Sequence, residues 1–221
     1  MLKTARRALM AAVAVMPLMS WAASAEGLIS IIVTDPANPH WFTEGEVAKA
    51  TAEGMGHTAS VSAHRGDTDA AIRSNGYETV ITQYPDLVKA GKEVADWDRT
   101  KGYLKMQSLL QANPDITGVI AGNDEMALGA IAALKEAGKL DAVKVGSFDG
   151  SPDAVAAIMA GEMQYAVLQP VAVFSAEAVK QADAFIKTGN KGAAAEKQLV
   201  DCLLITKDNV DRYSAPFTLS Q

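Results

Sequence analysis

The strongest constraint on the fold is an alternation. Between residues 28 and 205, short apolar runs rich in β-branched residues recur between longer stretches of helical character. Residues 28–34, 57–62, 88–95, 116–121, 143–148, 164–168 and 199–205 read as strands. Residues 41–54, 73–84, 100–112, 124–137, 152–160 and 174–187 read as helices, several of them stopped by glycine. In the 100–112 helix, Leu104, Met106, Leu109 and Leu110 are available to a buried face. A strand apolar on both faces must be covered on both. Helices crossing between parallel strands do that, and the crossovers are right-handed. The expectation is an α/β chain of parallel βαβ units.

The first 25 residues stand outside this pattern. Lys3, Arg6 and Arg7 precede an uncharged apolar run over 8–21, and Ala23-Ser24-Ala25 offers a small-residue cleavage site. That is the pattern of a secretory signal peptide, cleaved after Ala25. The run is too short for a membrane anchor, so no stable membrane insertion is expected after cleavage. Removing three basic and no acidic side chains takes the formal charge from −6 to −9. Such an acidic chain is the wrong sign for nucleic acid or an anionic lipid surface. One cysteine, Cys202, excludes an internal disulfide, and its apolar surroundings read as a small buried residue in a strand. Export without a cysteine pair points to a periplasm.

In open parallel sheets, ligands sit beyond the carboxyl ends of the strands. The residues found there are Asn38 with His40 and Trp41, then Trp97, Asn123, Phe148 with Asp149, and Gln169. Aromatic faces cover the C–H faces of a sugar, and amides and carboxylates pair with its hydroxyls. Each residue also has a plainer reading. Asn123 is a good N-cap for the helix that follows, with Asp124 and Glu125 suiting its positive end. Asp149-Gly150 is a turn pair, Trp41 suits a core, Gln169 precedes Pro170 at a strand end, and Arg73 suits a solvated helix face. Five strand ends carrying one kind of chemistry favour a carbohydrate or polyol site. No glycine-rich nucleotide loop, nucleophile elbow or zinc motif is present, and His40, His57 and His64 lack metal-ligand spacing. His57 and His64 read as surface or strand histidines. No catalytic residue, metal or cofactor is expected.

Four segments together, Asn38-Pro-His-Trp41, Arg73-Ser-Asn-Gly-Tyr77, Asn123-Asp-Glu-Met-Ala-Leu-Gly-Ala130 and Phe148-Asp-Gly-Ser-Pro-Asp153, resemble the periplasmic sugar-binding proteins of ABC importers, in the ribose-binding branch. The resemblance runs from Leu28 to the C-terminus. It implies a type I periplasmic binding protein fold, two Rossmann-like lobes closing on a sugar, working with an ABC transporter permease and not as an enzyme. It casts Asn38, Asn123, Asp149 and Gln169 as hydroxyl contacts and Arg73 as an oxygen contact. His40 with Trp41 would sandwich the ring, Trp97 would close the other face, and Phe148 would line the wall. His40 stands where Phe or Tyr is usual.

The chain is short for two such lobes. Gly66-Asp67-Thr68-Asp69 runs almost directly into the arginine-bearing helix, where the family has a long stretch that includes an Asp-Arg sugar contact. The expectation is an internal deletion near Asp69. It leaves a signal peptide over 1–25, an incomplete N-terminal lobe over 26–69 with a return near 170–200, and a C-terminal sugar-binding lobe over 70–221. The function implied is periplasmic capture of a ribose-like pentose or small polyol for import. The alternatives are the ligand domain of a sugar-responsive transcription regulator, which would need a DNA-binding segment ahead of Leu28, or a non-functional deletion product.

Overall fold

The computed structural model describes residues 28–63, 69–190, 198–214 and 217–220. The signal-peptide segment and His64 lie outside these residues. The elements run in order β1 (Leu28–Val33), α1 (Pro39–Gly54), β2 (Thr58–Ala63), α2 (Asp69–Ile81), α3 (Arg99–Ala112) and β3 (Gly118–Ile120). There follow α4 (Asp124–Glu136), β4 (Lys144–Asp149), α5 (Pro152–Met159), β5 (Tyr165–Leu168), α6 (Val171–Thr188), β6 (Leu203–Thr206) and a small hairpin of β7 (Tyr213–Ser214) and β8 (Thr218–Leu219).

Local chemistry sets the helix starts. Asn38 caps α1 ahead of Pro39, its Oδ1 accepting from the His40 amide at 2.9 Å. Asp98 caps α3, Asn123 caps α4, and Ser151 caps α5 just before Pro152. The plain N-cap reading of Asn123 is therefore realised.

Two sheets form. β1 and β2 make a parallel pair, and β3-β4-β5-β6 make a sheet of four. Its first three strands are parallel; β6 is antiparallel to β5, a departure from the expected all-parallel pattern. The chain returns to β6 after α6 has crossed to the other sheet, so β6 enters from the opposite end. α6 packs on α1 and contributes Val179 to the small core of Ile29, Ile31, Val33, Ala48 and Ala52. The large core has twenty-one buried residues against six in the small one, among the described residues. Burial on that scale stabilises the four-stranded body and leaves β1–β2 with little to hold it.

α3 and α4 cross almost backbone to backbone. A Cβ on Gly129 would lie 2.0 Å from the Arg99 carbonyl, and one on Gly102 would lie 2.6 Å from the Met126 carbonyl. Only glycine permits that approach, which brings the Trp97–Arg99 corner against the start of α4.

Several expectations are corrected. Residues 88–95 form no strand; Val88 and Val94 stand 88% and 70% exposed. The apolar run is real, but no neighbouring strand pairs with it. Leu104 is exposed on α3, while Met106 and Leu110 take its buried face. Leu28 and Ser30 are exposed while Ile29, Ile31 and Val33 are buried, so β1 is not apolar on both faces there. Cys202 is exposed, just before β6. His57 is buried, its Nε2 2.7 Å from Asp183 Oδ1 on α6; Lys187 meets the same oxygen at 2.7 Å. This ion cluster ties the end of α1 to α6.

Candidate functional site: a polar cleft at the strand ends

Arg73 is the hub. It projects from α2, a helix whose Ile72 and Val80 are exposed, yet its own side chain is only 7% exposed. Nη1 donates to the Gly122 carbonyl at 2.7 Å, at the end of β3, and Nη2 donates to Gln169 Oε1 at 3.0 Å, at the end of β5. Nη1 also lies 3.0 Å from Asp149 Oδ1, at the end of β4, without hydrogen-bond alignment. The guanidinium stands 4.0 Å from the Phe148 ring centroid and 5.1 Å from that of Trp97. Trp97, cast as closing a face of the sugar, and Phe148, cast as lining the wall, thus both stand against the guanidinium.

Asp149 is buried and sits at φ 121°, a backbone region that non-glycine residues rarely adopt and that costs on the order of 1–3 kcal/mol. Burial raises its carboxyl well above the usual range, against the opposing pull of Arg73. Asp124 lies beneath it. Its Oδ2 accepts from the Ser151 amide at 2.6 Å and its Oδ1 from the Ser147 hydroxyl; burial pushes its pKa up to about 6.

From the other sheet come Asn38 and His40, both buried. The His40 ring is edge-on to Trp41, with centroids 4.8 Å apart at 87°, and edge-on to Phe217 at 5.6 Å. Its Nδ1 lies 4.0 Å from Asp149 Oδ1. Burial, then Arg73, lowers its pKa to about 3, so the ring is neutral at physiological pH. His40 and Trp41 therefore do not present two parallel faces. Trp41 packs against the small core, as its plainer reading had it. Asn123 Oδ1 is spent on the Met126 amide at 3.0 Å, and its Nδ2 faces the Trp97 carbonyl at 3.5 Å.

At this site, among the described residues, four buried polar atoms have no hydrogen-bond partner: Asn38 Nδ2, His40 Nδ1, Tyr77 OH and Asp149 Oδ1. An unpaired buried donor or acceptor costs about 1–3 kcal/mol, and such groups cluster where a ligand is recognised. Sequence reading missed three residues here. Tyr77 was visible one turn after Arg73 on the same helix face. Asp124 was read only as a helix-end charge. Phe217 had no local signal, since the tail brings it back to His40 from far along the chain.

Arginine, carboxylate, amides and aromatic rings thus gather at the ends of parallel strands, the place where open α/β sheets bind their ligands. The chain belongs to the periplasmic binding protein domain family, whose model matches residues 29–191. It is 49% identical over 146 residues to the D-apiose import binding protein of Paraburkholderia graminis, covering 66% of this chain and 46% of that protein. It is 39% identical over 161 residues to the ribose import binding protein of Salmonella typhimurium, covering 73% of this chain and 52% of that one. The chain thus spans about half the length of these curated relatives, in keeping with an internal deletion. A solved ABC transporter solute-binding protein from Actinobacillus succinogenes, crystallised with D-allose, superposes with a TM-score of 0.75 at 19% identity, over 85% of this chain and 100% of that one. That likeness supports a type I periplasmic binding protein fold.

Proposed function

We propose that this chain is a solute-binding protein that takes a pentose-like sugar or small polyol in the cleft around Arg73 and Asp149. On this reading it works in the periplasm, exported by the 1–25 signal peptide, and presents its ligand to an ABC permease. It carries out no reaction. The observation that carries the proposal is the approach of His40 Nδ1 to Asp149 Oδ1 across the two sheets, at 4.0 Å, both atoms buried and without a hydrogen bond, as is Asn38 Nδ2 two residues before His40. A neutral, polyhydroxylated ligand supplies both donors and acceptors and can pair all of them, whereas an inorganic ion supplies only one kind. Curated relatives named for the import of D-apiose and ribose support the same class.

The division of labour follows the two cores. β1, α1 and β2 with α6 form the first wall, and α2 with the four-stranded body supplies the second, richer one: Arg73, Trp97, Asn123, Phe148, Asp149 and Gln169. The first wall has only Asn38, His40 and Trp41. Losing an Asp-Arg contact from it removes charge-assisted bonds worth about 1.5–3 kcal/mol each. Two such losses weaken binding by about 10²–10⁴-fold. The expected result is therefore saturable but weak binding, in the millimolar range.

Calorimetric or NMR titration with ribose, other pentoses, hexoses and small polyols tests this, with amino acids as an unrelated class. Binding of sugars or polyols alone supports the proposal. Binding of amino acids, or of none of these by a demonstrably folded chain, contradicts it.

A further inference from the structure

The four-stranded sheet ends abruptly at β3. The Lys144 amide donates to the Thr117 carbonyl at 2.9 Å and the Ala121 amide donates to the Gly146 carbonyl at 3.0 Å, so residues 117, 119 and 121 face β4. The backbone groups of Gly118 and Ile120 therefore point the other way. No strand among the described residues lies on that side. Beyond the edge is a cavity of about 1400 Å³. Small-molecule pockets measure roughly 300–1,000 Å³, so this space is the size for a polypeptide segment.

The far wall of that cavity is the segment read from sequence as a strand and found unpaired. Residues 87–94 carry the most exposed large apolar side chain of the described residues, Val88, with Leu87 and Val94 also exposed. The segment touches the rest of the chain through the approach of Gly91 to Leu109, a hydrogen bond from Lys92 to Ser74, and exposed ion pairs. Lys89 and Lys92 reach Glu78 on α2, and Lys105 on α3 reaches Glu93. Each such pair is worth at most about 1 kcal/mol.

One chain thus carries both an open strand edge and an apolar, strand-like arm with nothing to pair with. We propose that the β3 edge is a self-association site, covered by residues 87–94 of a second copy of this chain. The exchange is reciprocal. Each arm enters the other copy's groove, adds a strand beside β3, and buries Val88 and Val94 against Ile120 and its surroundings. Two-fold symmetry closes the pair, because each copy both gives and receives. Lys89 and Lys92 meet Glu78 of the other copy in place of their own, so charge pairing is kept. Open edges with apolar side chains are natural templates for this kind of pairing. The groove shares Asn38, Tyr77 and Trp97 with the sugar site but reaches neither Asp149 nor Gln169, so self-association and sugar binding are read out separately.

Sedimentation velocity of the full chain over a dilution series tests it, with hydrogen exchange at each concentration. The expected result is a dimer that dissociates on dilution, with the amides of 88–94, Gly118 and Ile120 protected only in the dimer. Ile120→Lys and Val88→Asp each weaken the dimer at least tenfold, while Phe185→Lys, at an exposed position of α6 away from the groove, leaves it unchanged. A chain that stays monomeric at every concentration overturns the proposal. So does a dimer in which these amides exchange freely, or a monomer in which they are protected, which would mean each arm closes its own edge. The wild-type exchange pattern decides the matter even if a variant fails to fold.

Discussion

Arg73→Ala is expected to destabilise the chain by about 3–5 kcal/mol at neutral pH and to release α2 from the sheet. Two effects add. Asp149 becomes a buried carboxylate without its cation, and breaking a buried pair by removing one partner carries a cost of that size. The Gly122 carbonyl and Gln169 Oε1 lose their donor as well. α2 has little else to hold it, since Ile72 and Val80 point to solvent. Urea unfolding gives the stability, and hydrogen exchange of the α2 amides shows the release. The loss has a sign in pH. Burial already holds the Asp149 carboxyl above its ordinary range, and removing Arg73 raises it further. A protonated Asp149 needs no cation, so the defect shrinks as pH falls. Arg73→Ala combined with Asp149→Asn should lose less than the two single changes added together. Equal losses at acidic and neutral pH, or simple additivity, would show that the pair does not hold this corner.

The second large effect belongs to His40. Its pKa lies near 3 in the folded protein against 6.5 when free, because burial disfavours the charged ring. Between those values the unfolded chain binds a proton that the folded chain refuses. Stability therefore rises with pH across that window and falls on acidification from 6.5. From pH 7 to pH 5 the loss is about 2 kcal/mol, at about 1.4 kcal/mol per pH unit below 6.5. Asp124 acts in the opposite sense from about pH 4 to 6, since its raised carboxyl holds a proton that the unfolded chain gives up. Comparison with His40→Phe isolates the histidine. Phenylalanine keeps an aromatic ring against Trp41 and Phe217 but cannot titrate. Melting temperatures over pH 7 to 4.5 should fall more steeply for the native chain than for the variant, whereas parallel curves would mean that the ring is charged, or solvated, in the folded state.

Much of the fold is legible in the sequence because its signals are local. Asn38, Asp98, Asn123 and Ser151 each begin a helix by capping it, and β-branched runs mark β1, β4 and β5. The failures are all non-local. Residues 88–95 have strand composition, but a strand also needs a neighbour, and nothing within the run shows that β3 is out of reach. The antiparallel direction of β6 depends on the path of α6 across to α1. His57 looks like a surface residue until Asp183, far along the chain, is brought against it.

The site divides the same way. Looking beyond strand ends brings Phe148, Asp149 and Gln169 to one place, since the topology of parallel sheets gathers such residues whatever their role, whereas Arg73, on a helix, comes only from the family resemblance. Neither could foresee that Arg73 would stand against both Trp97 and Phe148, or that His40 would meet Trp41 edge-on. Those arrangements depend on side-chain packing between two sheets, to which Phe217 and Tyr77 also contribute.

The most direct test of the central claim is an amide and side-chain NMR titration of the native chain with ribose and a panel of pentoses and polyols, repeated on Asp149→Asn. That substitution keeps the shape of the side chain and removes the carboxylate facing both Arg73 and His40. The account predicts saturable, millimolar shifts at Phe148, Gln169, Asn38 and the Arg73 side chain for at least one sugar or polyol, lost in the variant while its fold is kept. Shifts confined to other surfaces, or unchanged binding by Asp149→Asn, would contradict it.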